Sequence, residues 1–273
     1  MSDDELHPWL RVTRDGPVQT VTLTCADQRN PQTPSLWAAL ARAGEQTPDD
    51  VRVVVLRGEG PSFSAGLHRD LLRPGGMPGE PDLRSLAAGS GVGLDEAISD
   101  FQKGFTVWAS LPAVVVAAVQ GHAVGAGFQL ALAADLRVVA DDARLAMRET
   151  SLGLVPDLAG SSPLVRLAGY ARALEICATG RFVGAEEAVA IGLASTAVPV
   201  AALEATTKDL VDALLAAPEQ ALRELKALLR NAITATPPEQ HVVERQAQAR
   251  LLKTLAWRQC SRPRQPSPRH TEE

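Results

Sequence analysis

Several residue types are scarce in this chain of 273 residues, and their scarcity excludes some classes of protein. Aromatic residues make up only 4%, so the apolar mass consists mainly of Ala, Leu and Val, which suit helices packed closely on a sheet. The three cysteines, Cys25, Cys177 and Cys260, are widely spaced and form no Cys-x-x-Cys pair. Neither a disulfide framework nor a zinc site is indicated, and we expect reduced thiols in a cytoplasmic protein without a metal.

Positive charge and long apolar runs are also scarce. The net charge is −5, the pI is near 5.6 and no basic stripe stands out, so a nucleic acid is not expected as a partner. The longest apolar run, from Ala113 to Val119, is too short to span a bilayer. The N-terminal sequence MSDDELHPWLRV lacks the basic and apolar regions of an export signal. We therefore expect neither membrane insertion nor export.

The hydrophobic pattern that is present indicates an α/β protein. Residues 18–24 alternate apolar and polar side chains, as a half-buried strand does, and residues 35–46 have helical character. Residues 51–57 form a near-continuous apolar run, which is typical of a parallel strand buried on both faces. The order strand, helix, strand predicts parallel pairing. The pattern continues with a helix over 94–110, strands over 112–119 and 136–140, and a helix between those strands.

Two parts of the chain depart from this alternation. Residues 73–93 are rich in Gly, Pro and Ser, so we predict no regular element there, but either a functional lid or a disordered excursion. Beyond Pro199 the pattern becomes helical throughout. We accordingly predict a core domain over 1–199, a helical segment over 200–258 for oligomerisation and pocket closure, and a disordered tail over 259–273.

Four segments, taken together and in order, carry a resemblance to a known family. They are FSAGL (63–67), AAVQGHAVGAG (117–127), ETSLGLVPDLAG (149–160) and AVAIGLA (188–194). From about Gln28 to Pro199 the chain resembles the crotonase (enoyl-CoA hydratase/isomerase) superfamily. The resemblance implies an α/β fold with a ββα spiral core and a C-terminal helical segment. It also implies an acyl-CoA thioester as ligand, no cofactor beyond that coenzyme A, and a homotrimer or homohexamer.

By the same resemblance, the backbone N–H groups of Leu67 and Ala126 form an oxyanion hole for the thioester oxygen. Gly66 and Gly125 beside them let bare backbone approach that oxygen, and a helix beginning at the second donor adds the positive end of its dipole. Taken alone, the glycine-rich segment 121–127 could also be a tight turn, or a degenerate nucleotide loop that lacks the third glycine of Gly-x-Gly-x-x-Gly.

The acid–base groups depart from the pattern of the family's hydratases. Those enzymes hold a water between two glutamates, and the first of these positions is Gln129 here. An amide can bind a water but cannot exchange a proton with it at neutral pH. Glu149 matches the second position, so we predict a general base whose pKa rises in an apolar pocket, with a surface glutamate as the alternative. A single glutamate at this position is typical of the family's Δ3,Δ2-enoyl-CoA isomerases.

Asp157 is a second candidate for proton transfer. It matches an aspartate that the family's dienoyl-CoA isomerases carry beside the glutamate, although those enzymes also place an aspartate where this chain has Gln129. Alternatively, Asp157 is a turn residue or the N-cap of the following helix.

The remaining candidate residues would bind the substrate. Ala65, Gly66 and Gly125 lie in the two donor motifs, Arg29 and Arg69 could contact the phosphates of CoA, and Phe101, Phe105 and Trp108 could wall the acyl chain. His68 stands where the family usually has Asp, and is either a pocket acid or a structural residue.

The sequence therefore predicts an enzyme that isomerises an enoyl-CoA through an enolate, with Glu149 as base and Gln129 as a polar orienter. Three alternatives stay open: a hydratase with an altered carboxylate pair, a thioester hydrolase, and a non-catalytic acyl-CoA-binding or regulatory protein.

Overall fold

The structure, a computed structural model, describes residues 6–89 and 91–260. The strands are β1 (Leu10–Asp15), β2 (Val18–Leu23), β3 (Pro31–Gln32), β4 (Val53–Gly58), β5 (Gly66–Leu67), β6 (Val114–Val119), β7 (His122–Val124), β8 (Leu136–Ala140), β9 (Arg144–Ala146), β10 (Val183–Gly184) and β11 (Thr196–Val198). The α-helices are α1 (Pro34–Glu45), α2 (Leu83–Ala88), α3 (Gly91–Ser110), α4 (Ala126–Ala133), α5 (Ser161–Ala168), α6 (Tyr170–Thr179), α7 (Ala185–Ala190), α8 (Leu203–Ala216), α9 (Glu219–Asn231) and α10 (Pro237–Cys260). Short 3₁₀ helices cover Ala26–Gln28, Arg69–Leu72, Glu149–Leu152 and Val200–Ala202.

The main sheet has six strands in the order β1-β2-β4-β6-β8-β11. β1 and β2 pair antiparallel, and the other neighbouring strands pair parallel. The predicted parallel pairing of the strands near 18–24 and 51–57 is confirmed, with Val21 opposite Leu56. Strand β6 is buried along its whole length and β4 along nearly all of it, as expected of central parallel strands.

Two smaller sheets lie outside this main sheet. One has the order β10-β9-β7, with β7 and β9 parallel, and the other is the parallel pair of β3 and β5. Both smaller sheets contain residues of the motifs quoted above. They therefore carry the candidate site, whereas the main sheet forms much of the hydrophobic core.

One prediction made from local composition was wrong. Residues 73–93 contain helix α2 and the first residues of α3. Asp82 caps α2, because its carboxylate accepts hydrogen bonds from the Arg84 N–H at 3.0 Å and from the Ser85 hydroxyl at 2.7 Å. Such a cap satisfies N–H groups that the first turn of a helix leaves open, and it stabilises a short helix within a stretch rich in Gly and Pro.

The chain divides into two compact units, of which the first ends at Ala216 and the second begins at Ala217. Helix α8, which we assigned to the C-terminal segment, lies in the first unit against β4, β6 and β8. In the second unit α9 packs on α10, and Arg250 donates two hydrogen bonds, of 2.8 and 2.7 Å, to the Glu224 carboxylate. The predicted tail over 259–273 lies outside the described residues from position 261 onward.

Within the described ranges, no helix is long and apolar enough to cross a membrane. Over the same residues, no three His, Cys, Asp or Glu side chains cluster as a metal ion would need. Cys25 and Cys177 are free thiols. The oligomeric state, the location in the cell and the lack of a further cofactor stay predictions.

Candidate active site

Three parallel segments lie side by side at the candidate site. Ser64 pairs with Ala123 across an isolated parallel bridge. Ala123 in turn pairs with Leu145 where β7 and β9 run parallel. The backbone confirms the first contact, because Ser64 N–H donates to His122 O at 2.9 Å and Val124 N–H donates to Ser64 O at 3.1 Å. The residues Ser64, Ala123 and Leu145 therefore form one row across the three segments.

The predicted donors and the predicted base all follow this row. Leu67 and Ala126 each come three residues after a member of the row, and Glu149 comes four residues after one. Because the segments run parallel, the residues that follow the row in each segment lie on the same side of it. The topology thus brings together three residues that are far apart in the sequence.

The first donor segment is strand β5, which contains Leu67. The neighbouring His68 N–H donates to Gln32 O on β3 at 2.8 Å. Successive N–H groups of a strand point in opposite directions, so the Leu67 N–H points away from β3. Gly66 has φ of +85°, and a Cβ there would lie 2.2 Å from Val124 O and 3.5 Å from the Ala126 nitrogen. The second motif therefore occupies the space beside Gly66.

The second donor, Ala126, is the first residue of helix α4. The first N–H groups of an α-helix have no partner within the helix, so the Ala126 N–H is available to a ligand. Gly125 precedes it with φ of +53° and ψ of −118°, a conformation that residues with side chains rarely adopt. A Cβ on Gly125 would lie 3.2 Å from Glu149 Oε1. The carboxyl group of Glu149 therefore lies beside the start of α4.

Gln129, one turn further along α4, links Glu149 to the segment before α5. Its side chain is buried, with the residue 1% exposed. Its Oε1 accepts hydrogen bonds from Leu158 N–H at 2.9 Å and Gly160 N–H at 3.2 Å, and its Nε2 donates to Glu149 Oε1 at 2.8 Å. Backbone N–H groups can only donate, so they determine which end of the amide faces Glu149. Gln129 is therefore a donor to the glutamate.

Glu149 has one satisfied and one open carboxylate oxygen. Its Oε2 is buried and has no hydrogen-bond partner among the described residues. Burial raises the pKa of Glu149, the negative charge of Asp157 adds to this effect, and the hydrogen bond from Gln129 opposes it. A half-buried carboxylate with an unpaired oxygen is suited to accept a proton from a bound molecule.

Asp157 lies near enough to influence Glu149, but it is an exposed residue. Desolvation raises the pKa of its carboxyl group, although solvent around an exposed side chain weakens its electrostatic effect on neighbours. Its carbonyl oxygen accepts a hydrogen bond from Gln102 Nε2 at 2.7 Å. Helix α5 has Gly160 as its N-cap, so the alternative that Asp157 caps this helix is wrong. A catalytic role for Asp157 stays a prediction.

Among the predicted CoA contacts, Arg29 lies beside the first motif, because its carbonyl oxygen accepts a hydrogen bond from Ala65 N–H at 2.7 Å. Arg29 and Arg69 are both exposed. His68 uses both ring nitrogens: Nδ1 accepts from Asp70 N–H at 3.3 Å, and Nε2 lies 3.2 Å from Gln28 Oε1. These contacts explain His68 as the cap of a 3₁₀ helix, and a role in the chemistry stays a prediction.

The three aromatic residues predicted to wall the acyl chain differ in burial. Phe105 is 1% and Trp108 is 0% exposed, and both belong to the hydrophobic core. Phe101 is half-buried, and its ring centroid lies 5.2 Å from that of Trp37. Of these three, Phe101 alone retains appreciable surface for a substrate, while the role of all three stays a prediction.

A buried polar cluster at the first motif was not predicted from the sequence. It is formed by the side chains of Gln32, Trp37 and Ser64. Ser64 lies in the motif, but no role was predicted for its side chain. Gln32 and Trp37 showed no sequence signal, because neither lies in one of the four motifs. Only their hydrogen bonds identify them.

The chain is similar to known proteins over most of its length. The family described as Enoyl-CoA hydratase/isomerase matches residues 13–261 of the chain. The chain is 34% identical to a carnitinyl-CoA dehydratase of Salmonella typhi over 224 residues, which are 81% of this chain and 80% of that protein. It is 37% identical to the "Probable enoyl-CoA hydratase" of Bacillus subtilis (strain 168) over 150 residues, 55% of this chain and about half (53%) of that relative.

A solved structure is similar over nearly the whole chain. It is a Thermobifida fusca YX protein crystallised in complex with acetoacetyl-CoA, with a TM-score of 0.86 and 45% sequence identity. The similarity covers 90% of this chain and 95% of that one. The similarity extends well beyond the four motifs.

Proposed function

The chain belongs to the enoyl-CoA hydratase/isomerase family, and we propose that it moves the double bond of an enoyl-CoA thioester, with Glu149 carrying the proton. The observation that carries this proposal is the asymmetry of the Glu149 carboxylate: Gln129 holds Oε1, whereas Oε2 is buried and has no partner in the described part of the chain. One basic oxygen beside the donor segments is the minimum that a proton shuttle needs.

The N–H groups of Leu67 and Ala126 would bind the thioester oxygen. Both follow the row through Ser64 and Ala123 by the same number of residues, and a Cβ on Gly66 would reach towards the Ala126 nitrogen. Two such donors stabilise the negative charge that develops on the oxygen when a proton leaves the neighbouring carbon. That a similar structure contains acetoacetyl-CoA supports an acyl-CoA as the ligand.

One residue can both remove and return the proton. The Glu149 carboxylate removes a proton from carbon 2 of a 3-enoyl-CoA, and the electron pair of that C–H bond passes into a dienolate. The oxyanion donors hold the negative charge. The protonated Glu149 returns its proton to carbon 4, and the product is the 2-enoyl-CoA, with no other reactant consumed. Because burial raises its pKa, Glu149 is better able to hold the proton between these steps.

Hydration of a 2-enoyl-CoA is the second candidate, because relatives carry the names enoyl-CoA hydratase and carnitinyl-CoA dehydratase. Hydration needs a base that takes a proton from the attacking water and an acid that protonates carbon 2, whereas Gln129 can only orient the water. Its Nε2 contacts Glu149 Oε1 directly at 2.8 Å, so there is no room for a shared water between these two atoms. This contact favours isomerisation.

The purified protein should be incubated in turn with a 3-enoyl-CoA, a 2-enoyl-CoA and a 2,4-dienoyl-CoA. We expect conversion of the 3-enoyl to the 2-enoyl thioester to be fastest, with no free CoA thiol released. Preferred hydration of the 2-enoyl thioester would identify a hydratase, and release of CoA thiol would identify a hydrolase. Tight binding without turnover of any of the three would identify a non-catalytic acyl-CoA-binding protein.

A further inference from the structure

The side chain of Ser64 makes a set of hydrogen bonds that the proposed chemistry does not itself require. Its Oγ donates to Asn30 O at 2.7 Å and accepts from Gln32 Nε2 at 3.0 Å and from Gly66 N–H at 3.2 Å. A hydroxyl group has one donor and two acceptor positions, so all three are used. The residue is 0% exposed, so its hydroxyl group is buried with all of its hydrogen-bonding positions occupied.

Trp37 determines which atom donates in each of these hydrogen bonds. Trp37 Nε1–H is a donor only, and it donates to Gln32 Oε1 at 2.9 Å. The amide of Gln32 must therefore present its NH₂ group to Ser64, which leaves the hydroxyl proton of Ser64 for Asn30. Trp37 and Gln32 are almost completely buried, so water cannot easily replace a missing partner.

Ser64 also joins the two donor segments. Its backbone holds β7 through His122 O and Val124 N–H, and β7 leads directly to the second donor segment. Its side chain holds Gly66 N–H, the residue before the first donor. A Cβ on Gly127 would lie 2.8 Å from Ser64 Cβ, so α4 packs directly on this serine. Gln32 holds the other side of Leu67, because its carbonyl oxygen accepts a hydrogen bond from His68 N–H.

From these contacts we infer that Ser64, oriented by Gln32 and Trp37, is a positioning residue that sets the spacing between the N–H groups of Leu67 and Ala126. The inference rests on the proposed function, since the spacing matters only if both groups bind one oxygen. Loss of the hydroxyl would leave Gly66 N–H and Gln32 Nε2 without their acceptor, and the first donor would shift relative to the second. Stabilisation of an enolate depends on the positions of its donors, and a misplacement of about 1 Å can cost ~10²-fold in rate.

The test compares Ser64→Ala with Ser62→Ala, the same substitution two residues away. Ser62 is also buried, but its Oγ lies 3.4 Å from His122 Nδ1 and takes no part in the hydrogen bonds of the Ser64 side chain. We expect Ser64→Ala to lower kcat about 10- to 100-fold with little change in KM. We expect Ser62→Ala to retain the kcat of the unmodified protein. Trp37→Phe, which keeps an aromatic ring but removes the N–H donor together with part of the indole, should lower kcat less than Ser64→Ala.

Infrared difference spectra of a bound 2-enoyl thioester report how strongly its carbonyl group is polarised. Loss of a residue that only supports the fold would not change this polarisation. In the unmodified protein the carbonyl stretch should fall below its value in water, because the two donors polarise the bond. Ser64→Ala should shift it back towards the value in water. If the unmodified protein neither binds nor polarises the thioester, the proposed function is overturned and the inference with it. If it does so and Ser64→Ala matches it in frequency and kcat, the inference alone is overturned. Should Ser64→Ala not fold, the same comparison with Trp37→Phe decides.

Discussion

Gln129 Nε2 donates a hydrogen bond of 2.8 Å to Glu149 Oε1, and the other oxygen of that carboxylate is buried without a partner among the described residues. The amide cannot turn round, because its own oxygen accepts from two backbone N–H groups. Glu149 is thus oriented by a neutral neighbour that can give it a hydrogen bond but cannot take its proton. Four predictions concern this pair, and a fifth concerns the donor segments.

Glu149→Gln should abolish the proposed isomerisation while leaving the binding of an acyl-CoA within a few-fold of normal. Positioned acid–base groups contribute ~10²–10⁴-fold to rate. The substitution replaces the carboxylate, which is the only group that we propose to move the proton, with an amide. Steady-state assays and calorimetric titration would measure the two effects. Glu186→Gln, which changes an exposed glutamate of α7, is the matched control and should keep full activity. Equal activity of both variants would show that Glu149 is not the base.

The rate of isomerisation should depend on pH through Glu149. The carboxylate form is the active one, and burial raises the pKa of this group. The acid limb of the kcat/KM profile should therefore lie above the value near 4.3 that an ordinary glutamate shows. A profile of kcat/KM against pH for the 3-enoyl substrate measures it. An acid limb at or below the ordinary value would contradict the role of burial.

Folding stability should also change with pH in a way that Glu149→Gln removes. A raised pKa in the folded protein means that Glu149 contributes stability below its unfolded pKa and loses that contribution as the pH rises through its folded pKa. The variant has no charge to bury, so its Tm should exceed that of the unmodified protein near neutral pH. The difference should shrink as the pH falls towards about 4.3. Thermal unfolding at several pH values would show the trend, and a difference independent of pH would refute it.

Gln129→Glu should shift the reaction towards hydration. The new carboxyl group would keep one oxygen on the Leu158 and Gly160 N–H groups and face Glu149 with the other. Two carboxylates this close cannot both be ionised easily, so the pair should retain a proton to near neutral pH and present an acid as well as a base. We expect the ratio of hydration to isomerisation to rise at least ~10-fold, since one positioned acid–base group is worth ~10²–10⁴-fold. Gln248→Glu, at an exposed position, should leave the ratio unchanged.

Gly66→Ala and Gly75→Ala form a matched pair that separates backbone strain from steric contact. Both glycines have φ of +85°, but a Cβ on Gly75 would meet nothing within 4 Å, whereas a Cβ on Gly66 would lie 2.2 Å from Val124 O. Gly75→Ala should cost about 1–2 kcal/mol of the free energy of unfolding. Gly66→Ala should cost about 1–3 kcal/mol more and abolish activity, because the donor segments must move apart. Denaturant unfolding gives both values, and equal costs would mean that the contact is relieved without movement.

Much of the fold was predictable, because it follows from patterns that extend over a few neighbouring residues. The all-apolar runs of β4 and β6 indicated central parallel strands, and the two glycine-rich motifs indicated where bare backbone would approach a ligand. Helix α2 was missed because one side-chain cap, at Asp82, outweighs the average composition of its surroundings.

The sequence by itself determined the class of fold, the family and the list of candidate groups, because periodicity and motif spacing are local properties of the chain. Tertiary structure alone decided how those groups act on one another. Gln129 and Glu149 are 20 positions apart, and Gln32 and Ser64 are 32 apart, so no local pattern records that they touch. Parallel pairing of β7 with β9 brings the first pair within hydrogen-bonding distance, and parallel pairing of β3 with β5 does the same for the second. Burial then strengthens the bonds that form there, and one oxygen of Glu149 is buried without a partner among the residues that the structure describes.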